Sequence, residues 1–193
     1  MNRKIIIIGG YLAAGKSEFA RRVSQAIGIP YLIKDTLKTA LCASVPITNS
    51  ADSSRFSAVT FDAVMYVAER LLEVGFPIII EGNFVPVGVK KTDDAGVIKT
   101  LIGKLDCRSL TFKFMGDTRV LYERYIERDK TPERGDANRD FTEVTFADFD
   151  RYCHRLDDFS VGGQTVLVDT TSFDAVDFAR HIDTARHFIK HRV

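Results

Sequence analysis

Short apolar runs alternate along the chain with longer stretches in which apolar residues recur at helical spacing. The apolar runs have the length of strands and occupy residues 4–8, 31–33, 77–81, 110–115 and 165–168. Helical spacing occupies residues 17–27, 36–43, 56–74, 95–105, 117–128, 143–159 and 173–191. Strands that alternate with helices are typical of a parallel sheet with helices on both faces. The pattern therefore predicts an α/β fold, a three-layer sandwich of five strands and about seven helices.

Polar stretches interrupt this pattern at two places. Residues 45–55 are rich in Ser, Asn, Asp and Pro, which predicts a loop. Residues 130–140 are charged and lack apolar anchors. We expect a single domain over residues 1–193, with an approximate lid at 129–142 and an approximate acceptor-binding region at 41–74.

The carboxyl ends of the strands are where parallel α/β sheets bind ligands. After the first strand, residues 10–17 match the pattern G-x-x-x-x-G-K-[ST] in full. Its glycines let the backbone approach a phosphate, and its amide groups form an anion nest with the following helix. Because a strand precedes this loop and a helix follows it, we favour a nucleotide site over a glycine-rich connection without a ligand. The predicted nucleotide contacts are Gly10, Ala13, Ala14, Gly15, Lys16, Ser17 and Glu18.

Two residues of this loop have a predicted chemical role beyond nucleotide contact. Lys16 would place its ammonium on the β- and γ-phosphates, and the Ser17 hydroxyl would coordinate Mg²⁺. We therefore predict Lys16 as a catalytic residue and Ser17 as a metal ligand.

A carboxylate and an ammonium follow the second strand. Asp35 and Lys38 lie three residues apart, which predicts that both face the same side of a helix start. A carboxylate there can accept the proton of an acceptor hydroxyl, and the cation can steady a phosphoryl group or an anionic substrate. The alternative is that Asp35 caps its helix. Because capping and catalysis are compatible, we predict Asp35 as a catalytic base and Lys38 as a substrate contact.

Two acidic residues compete for the metal. Glu81 ends the third strand and Asp169 follows the fifth. The acid that serves the metal must lie on the strand next to the phosphate loop, and the sequence alone does not order the strands. We favour Glu81 as the metal ligand together with Ser17. The alternative is that Glu81 only orients Asn83 or the substrate, and both residues are therefore also predicted substrate contacts.

Arginines are frequent between residues 119 and 139, although acidic residues nearly offset them. A solvated, salt-bridged helix is the alternative to a functional site here. Arg124 and Arg128 lie one helical turn apart, and the polar segment at 130–140 follows them. Arginines at the hinge of a closing lid would neutralise phosphate charge and exclude water. We predict Arg128 as catalytic and Arg124 as nucleotide-binding.

Composition limits the partners and the location. The 193 residues include 27 Lys and Arg against 26 Asp and Glu, so there is no general basic field for nucleic acid or a membrane. No apolar run reaches the length of a membrane span. Because the N-terminus leads directly into the first predicted strand, we expect no signal peptide. Three widely spaced cysteines suit a reducing compartment. We expect a soluble, cytoplasmic protein.

With these residues in view, the chain resembles the small P-loop kinases related to nucleoside monophosphate kinases, a group that includes polynucleotide kinase, chloramphenicol phosphotransferase and zeta-toxin-like enzymes. The resemblance is carried by the loop at 10–17, by Lys34 and Asp35 with Lys38, by the string IIIEGNF at 78–84, and by Arg124 with Arg128. It implies a five-stranded sheet in the order 2-3-1-4-5, ATP as the donor, a carboxylate at Asp35 that activates the acceptor, and an adenine contact at residues 169–173 with Arg124.

The predicted function is an ATP-dependent phosphotransferase that moves the γ-phosphate of ATP to a hydroxyl of a small-molecule acceptor, with ATP and Mg²⁺ as cofactors. Acceptor selectivity is expected from the region 41–74, where Arg55 is a predicted substrate contact and Asp62 a further charged candidate.

Three alternatives are weighed against this function. The first is a non-catalytic ATP-binding regulatory module. The second is a polynucleotide 5′-hydroxyl kinase, which is disfavoured because Lys38 replaces an arginine and cannot form a bidentate fork with phosphate. The third, a GTP-dependent switch, would need an N-K-x-D string, which the chain lacks.

Overall fold

The computed structural model describes residues 3–45, 47–85, 93–131 and 143–191. Its strands are β1 (Lys4–Gly10), β2 (Tyr31–Ile33), β3 (Ile78–Glu81), β4 (Arg108–Met115) and β5 (Gln164–Asp169). Its helices are α1 (Lys16–Ile27), α2 (Lys34–Cys42), α3 (Ser50–Glu73), α4 (Asp94–Lys104), α5 (Thr118–Asp129), α6 (Phe146–His154) and α7 (Phe178–Lys190), and a 3₁₀ turn at Phe173–Ala175 precedes α7.

The five strands form one parallel sheet in the order β2-β3-β1-β4-β5. In the centre, Ile6 of β1 is in register with Ile79 of β3 and Leu110 of β4. All four isoleucines of β1 are fully buried, as expected for a central strand covered on both faces. The predicted α/β class and strand order are confirmed.

Alternate residues of β1 point into two separate cores. Ile6 and Ile8 pack in a core with side chains of α1, α5, α6 and α7, among them Phe19, Phe149 and Phe188. Ile5 and Ile7 pack in the other core, which is formed largely by α3 and α4. The side-chain period of two along a strand explains this division. The result is the predicted three-layer arrangement.

The helix boundaries after β2 differ from the prediction. The helix expected at 56–74 begins at Ser50 instead, because the Asn49 side chain caps it by accepting a hydrogen bond from the Asp52 amide at 2.9 Å. Most of the predicted loop at 45–55 is therefore helical. The helix expected at 36–43 begins at Lys34, directly after β2, so Asp35 lies in its first turn and does not cap it.

The last two helices, α6 and α7, are shorter than the sequence pattern predicts. α6 covers nine residues of the stretch 143–159, and the Thr145 side chain caps its start by accepting from the Asp148 amide. The helix expected at 173–191 is interrupted after the 3₁₀ turn, and Asp177 caps α7. Most of the predicted lid at 129–142 lies outside the described residues. Within the described ranges, no helix is both long enough and apolar enough to cross a membrane.

Candidate active site

The loop between β1 and α1 has the backbone of an anion-binding turn. Gly10 has φ 114° and Gly15 has φ 83°, both in the left-handed region that favours glycine. A Cβ atom at Gly10 would overlap the carbonyl oxygen of Phe114 in β4. Ala13 also has a positive φ of 56°, a conformation that non-glycine residues rarely adopt outside functional sites. Gly15 precedes α1 without a side-chain cap.

Lys16 lies in the first turn of α1 with its ammonium turned back into the loop. The side chain is 6% exposed, and its Nζ donates to the Tyr11 carbonyl oxygen. Burial lowers the pKa of Lys16; the Arg128 charge adds to this, and the carboxylates of Glu81 and Asp35 oppose it. All four charged groups are therefore close enough to act on one another.

The strand order decides which acidic residue lies beside the loop. Because β3 pairs with β1, Glu81 reaches α1, and the Ser17 hydroxyl donates to its Oε2 atom at 3.1 Å. Asp169 ends the edge strand β5, and its carboxylate accepts hydrogen bonds from the amide and hydroxyl of Thr171. Burial, followed by the Asp35 charge, raises the pKa of Glu81 to about 7 against the opposing influence of Lys16.

A hydroxyl and a carboxylate oxygen in contact are the donor types that Mg²⁺ prefers. Ser17 is exposed at the loop, whereas Glu81 is buried behind it. A cation beside Glu81 would offset the burial that raises the pKa of this carboxyl. The residues present thus fit a magnesium ion. Among the described residues, no three His, Cys, Asp or Glu side chains group to form a metal site by themselves.

Asp35 and Lys38 both lie on α2 but in different surroundings. Asp35 is exposed in the first turn, and its charge acts on Lys16 and Glu81. Lys38 is buried, and its Nζ donates to the hydroxyl of Ser53 in α3 at 2.8 Å. The two residues therefore differ in exposure, although their spacing predicts that they face the same side of the helix. Asp35 thus lies at the surface of the site, whereas the Lys38 ammonium joins α2 to α3.

The remaining predicted contacts are spread more widely. Asn83 is half-buried just after β3, and Arg55 is exposed on α3. The Glu18 carboxylate accepts from the guanidinium groups of Arg21 and Arg22 on the outer surface of α1. The side chain of Glu18 is thus engaged along its own helix.

Arg124 holds the segment that follows β5. Its two terminal nitrogens donate to the carbonyl oxygens of Thr170 at 2.6 Å and Thr171 at 2.8 Å. Its guanidinium carbon lies 5.8 Å from the ring centre of Phe173. That ring also packs on Gly15, where a Cβ atom would overlap it. The structure thus brings together Arg124, residues 169–173 and the phosphate loop. Arg128, one turn further along α5, is exposed.

Two charged residues near the site form a buried pair that the sequence does not predict, although Lys34 belongs to the motif that follows the second strand. Lys34 and Asp94 are both buried, with 3.9 Å between Nζ and Oδ2, and the Asp94 carboxylate also accepts from the Val85 amide. The Lys34 ammonium lies 5.4 Å from the ring centre of Phe61. Neither residue belongs to an apolar pattern, so only the tertiary packing of α2 against α3 and α4 shows that they are interior.

Comparisons with known proteins give matches of structure only. No protein-family model and no curated protein matches the chain. A proposed kinase from Chloroflexus aurantiacus is similar over 97% of this chain and 99% of its own, with a TM-score of 0.85 and 22% identity. APS kinase from Mycobacterium tuberculosis, in complex with AMPPNP and APS, gives a TM-score of 0.58 at 12% identity over 99% of this chain and 100% of its own.

Shikimate kinase from Acinetobacter baumannii, in complex with shikimate, gives a TM-score of 0.56 at 13% identity over 98% of this chain and 93% of its own. At these identities the likeness shows the fold. The chain has a P-loop kinase-like fold, as the resemblance implied.

Proposed function

We propose that this chain transfers the γ-phosphate of ATP to a hydroxyl group of a small-molecule acceptor. The observation that carries the proposal is the convergence of the phosphate loop with Glu81 and Asp35, which come from two neighbouring strand ends. Ser17 contacts Glu81 directly, and Asp35 and Arg128 act electrostatically on both Lys16 and Glu81. A glycine loop that only bound a nucleotide would not need an exposed carboxylate, Asp35, at this edge in addition to the buried Glu81.

The donor half of the reaction is assigned to the loop and the residues behind it. The backbone amides of residues 13–15 and the start of α1 bind the phosphates, and Lys16 moves from the Tyr11 carbonyl to the β- and γ-phosphates when ATP binds. Ser17 and Glu81 would hold Mg²⁺, which when bound neutralises developing phosphate charge. Glu81 then remains a carboxylate at neutral pH.

Asp35 is the acceptor-side base in this proposal. Asp35 is exposed in the first turn of α2, at the same edge of the sheet as the phosphate loop. It accepts the hydroxyl proton as the oxygen attacks the γ-phosphorus, while the bond from the γ-phosphorus to the bridging oxygen breaks and ADP leaves. Arg128 is exposed at the end of α5 and would neutralise charge on the phosphoryl group during transfer. Arg124 and residues 170–173 would receive the adenine.

The acceptor is assigned to the class of small molecules for two reasons. The net charge of +1 provides no broad field for nucleic acid. In addition, the structural neighbours named above include proteins in complex with APS and with shikimate, both of them small molecules. The helix that carries Asp35, α2, packs against α3, and residues of these two helices between 41 and 74 are the proposed source of selectivity.

The test uses the full chain with MgATP and a panel of hydroxyl-bearing metabolites, followed by mass spectrometry for phosphorylated products. Asp35→Asn should keep the wild-type Kd for ATP and lose about a hundredfold or more in phosphate transfer. Asp183→Asn, which changes an exposed aspartate on α7, is the matched control and should retain transfer. If the wild type binds ATP tightly and phosphorylates nothing, a non-catalytic ATP-binding module is the correct function. If Asp35→Asn transfers phosphate at the wild-type rate, Asp35 is not the base.

A further inference from the structure

A cluster of hydrogen-bonded side chains contacts one side of the phosphate loop. It joins Tyr11, the second residue of the loop, to Asp157 and His154 at the end of α6. The loop pattern G-x-x-x-x-G-K-[ST] leaves position 11 open, so nucleotide binding by the backbone alone does not require a tyrosine there. None of the three residues belongs to the catalytic set described above.

The side chain of Tyr11 is engaged at its hydroxyl. Tyr11 is 3% exposed, and its hydroxyl donates to the Asp157 Oδ1 atom at 2.6 Å. The contact bridges 146 positions of the sequence. Burial, together with the Asp157 carboxylate, raises the pKa of Tyr11 above its ordinary value, so the hydroxyl remains a donor. A hydrogen bond to a charged acceptor is among the stronger kinds in proteins.

Asp157 is in turn held by other groups. The His154 Nδ1 atom lies 2.9 Å from Asp157 Oδ2, and the His154 ring meets the Tyr11 ring edge-on with 6.0 Å between centres. Lys113 of β4 donates its Nζ to the Asp157 carbonyl oxygen. The hydrogen bond to Asp157 raises the pKa of His154. The carboxylate that receives the Tyr11 hydroxyl is therefore fixed in place before any ligand binds.

The backbone of Tyr11 connects this cluster to the catalytic lysine. The Tyr11 amide donates to the Phe114 carbonyl oxygen at 2.8 Å, and the Tyr11 carbonyl oxygen accepts the Lys16 ammonium. Tyr11 thus contacts Asp157 through its side chain and Lys16 through its carbonyl oxygen. Loss of the side-chain contact would release the stretch of loop against which Lys16 rests.

We infer that Tyr11, Asp157 and His154 form a positioning network that keeps the phosphate loop in its binding conformation. The inference rests on the proposed function, because it assigns the network to the ATP half of that site. The competing explanation is that these contacts only attach α6 to the sheet. That explanation predicts a loss of stability without a selective loss of nucleotide affinity.

The chain offers a matched control for this distinction. Tyr122 on α5 is also partly buried, and its hydroxyl donates to the Val144 carbonyl oxygen at 2.9 Å. Tyr11→Phe and Tyr122→Phe each remove one such hydroxyl. Both variants should lower the melting temperature. Only Tyr11→Phe should weaken MgATP binding, by about tenfold, as measured by calorimetry.

A second pair of variants tests the partner. Asp157→Asn keeps an acceptor for the Tyr11 hydroxyl but removes its charge, so it should weaken MgATP binding less than Asp157→Leu does. In a Tyr11→Phe background, Asp157→Leu should add little further loss, because the shared contact is already absent. Should Tyr11→Phe fail to fold, the two Asp157 variants and Tyr122→Phe provide the same comparison.

The outcomes separate the two proposals. Equal Kd values for MgATP in Tyr11→Phe, Tyr122→Phe and the wild type would overturn the positioning network and leave the proposed function intact. Fully additive losses for Tyr11→Phe and Asp157→Leu would also overturn it. A wild type that does not bind MgATP would contradict the proposed function, and the network with it.

Discussion

The Ser17 hydroxyl and the Glu81 carboxylate meet at 3.1 Å, joining the first turn of α1 to the end of the neighbouring strand β3. Glu81 is 4% exposed, and burial raises its pKa to about 7. Ser17 and Glu81 are the predicted Mg²⁺ ligands. Without a metal, burial disfavours the charged form of the Glu81 carboxylate. A measurable dependence of stability on pH follows.

Glu81 should make the metal-free protein less stable as the pH rises. Between about pH 4.5 and about pH 7 the folded chain retains the Glu81 proton that the unfolded chain has released. The free energy of unfolding therefore falls through this window, by roughly 2–4 kcal/mol for a shift of this size. Glu81→Gln should remove that part of the slope. Urea unfolding without Mg²⁺ at pH 5 and pH 8 measures it, and Glu127→Gln, at an exposed position, should leave the slope unchanged.

Gly15 should be more sensitive to a methyl group than another glycine with similar backbone geometry. Gly15 and Gly28 both have positive φ, at 83° and 71°, so alanine costs about 1 kcal/mol of backbone strain at either position. Only at Gly15 would the added Cβ overlap Phe173. Gly15→Ala should therefore weaken ATP binding, and Gly28→Ala should not. Isothermal calorimetry with both variants makes the comparison, and equal Kd values would show that Phe173 adapts without cost.

Arg124 should affect adenine-containing ligands more than bare phosphates. It holds the carbonyl oxygens of Thr170 and Thr171, and its guanidinium lies beside Phe173. Arg124→Met should raise the Kd for ATP by about tenfold while that for tripolyphosphate changes little. Arg119→Met is the control, because Arg119 lies on the same helix and stacks on Phe146. Equal losses for both ligands would assign Arg124 to the phosphates.

The buried Lys34 and Asp94 pair should show strong coupling. Removing one member leaves the other charge buried, so Lys34→Met or Asp94→Leu should each cost about 3 kcal/mol. The double variant should cost less than the sum of the two, because it leaves neither charge behind. Lys130→Met, which breaks the exposed pair with Glu127, should cost under about 1 kcal/mol. Urea unfolding of the set gives the coupling energy, and a value near zero would mean that the two charges are stabilised independently.

Local patterns in the sequence are sufficient to predict where the strands lie along the chain. The isoleucines of β1 and β3 are fully buried, and such continuous apolar runs are readily recognised. The start of α3 differs from the prediction because the composition of residues 45–55 indicates a loop, whereas Asn49 and Asp52 form the cap of the helix. Composition does not separate a polar loop from a polar helix start.

The site was predictable where its residues follow strand ends. Glu81 and Asp169 are both metal candidates from the sequence, and the pairing of β3 with β1 shows that Glu81 lies on the strand next to the phosphate loop. That pairing depends on packing between elements distant in sequence. The contact of Tyr11 with Asp157 depends on the same kind of information, since no local pattern connects a loop residue to the end of a helix so far along the chain.

The division of the interior into two cores separates the two halves of the proposed reaction. The donor side, with α1, α5 and α7, is packed on one face of β1, whereas α3 and the helix after β3 are packed on the other. Substitutions on the acceptor side therefore change the packing of a core to which the phosphate loop does not contribute. A chain built in this way can acquire a new acceptor during evolution while its nucleotide site stays the same.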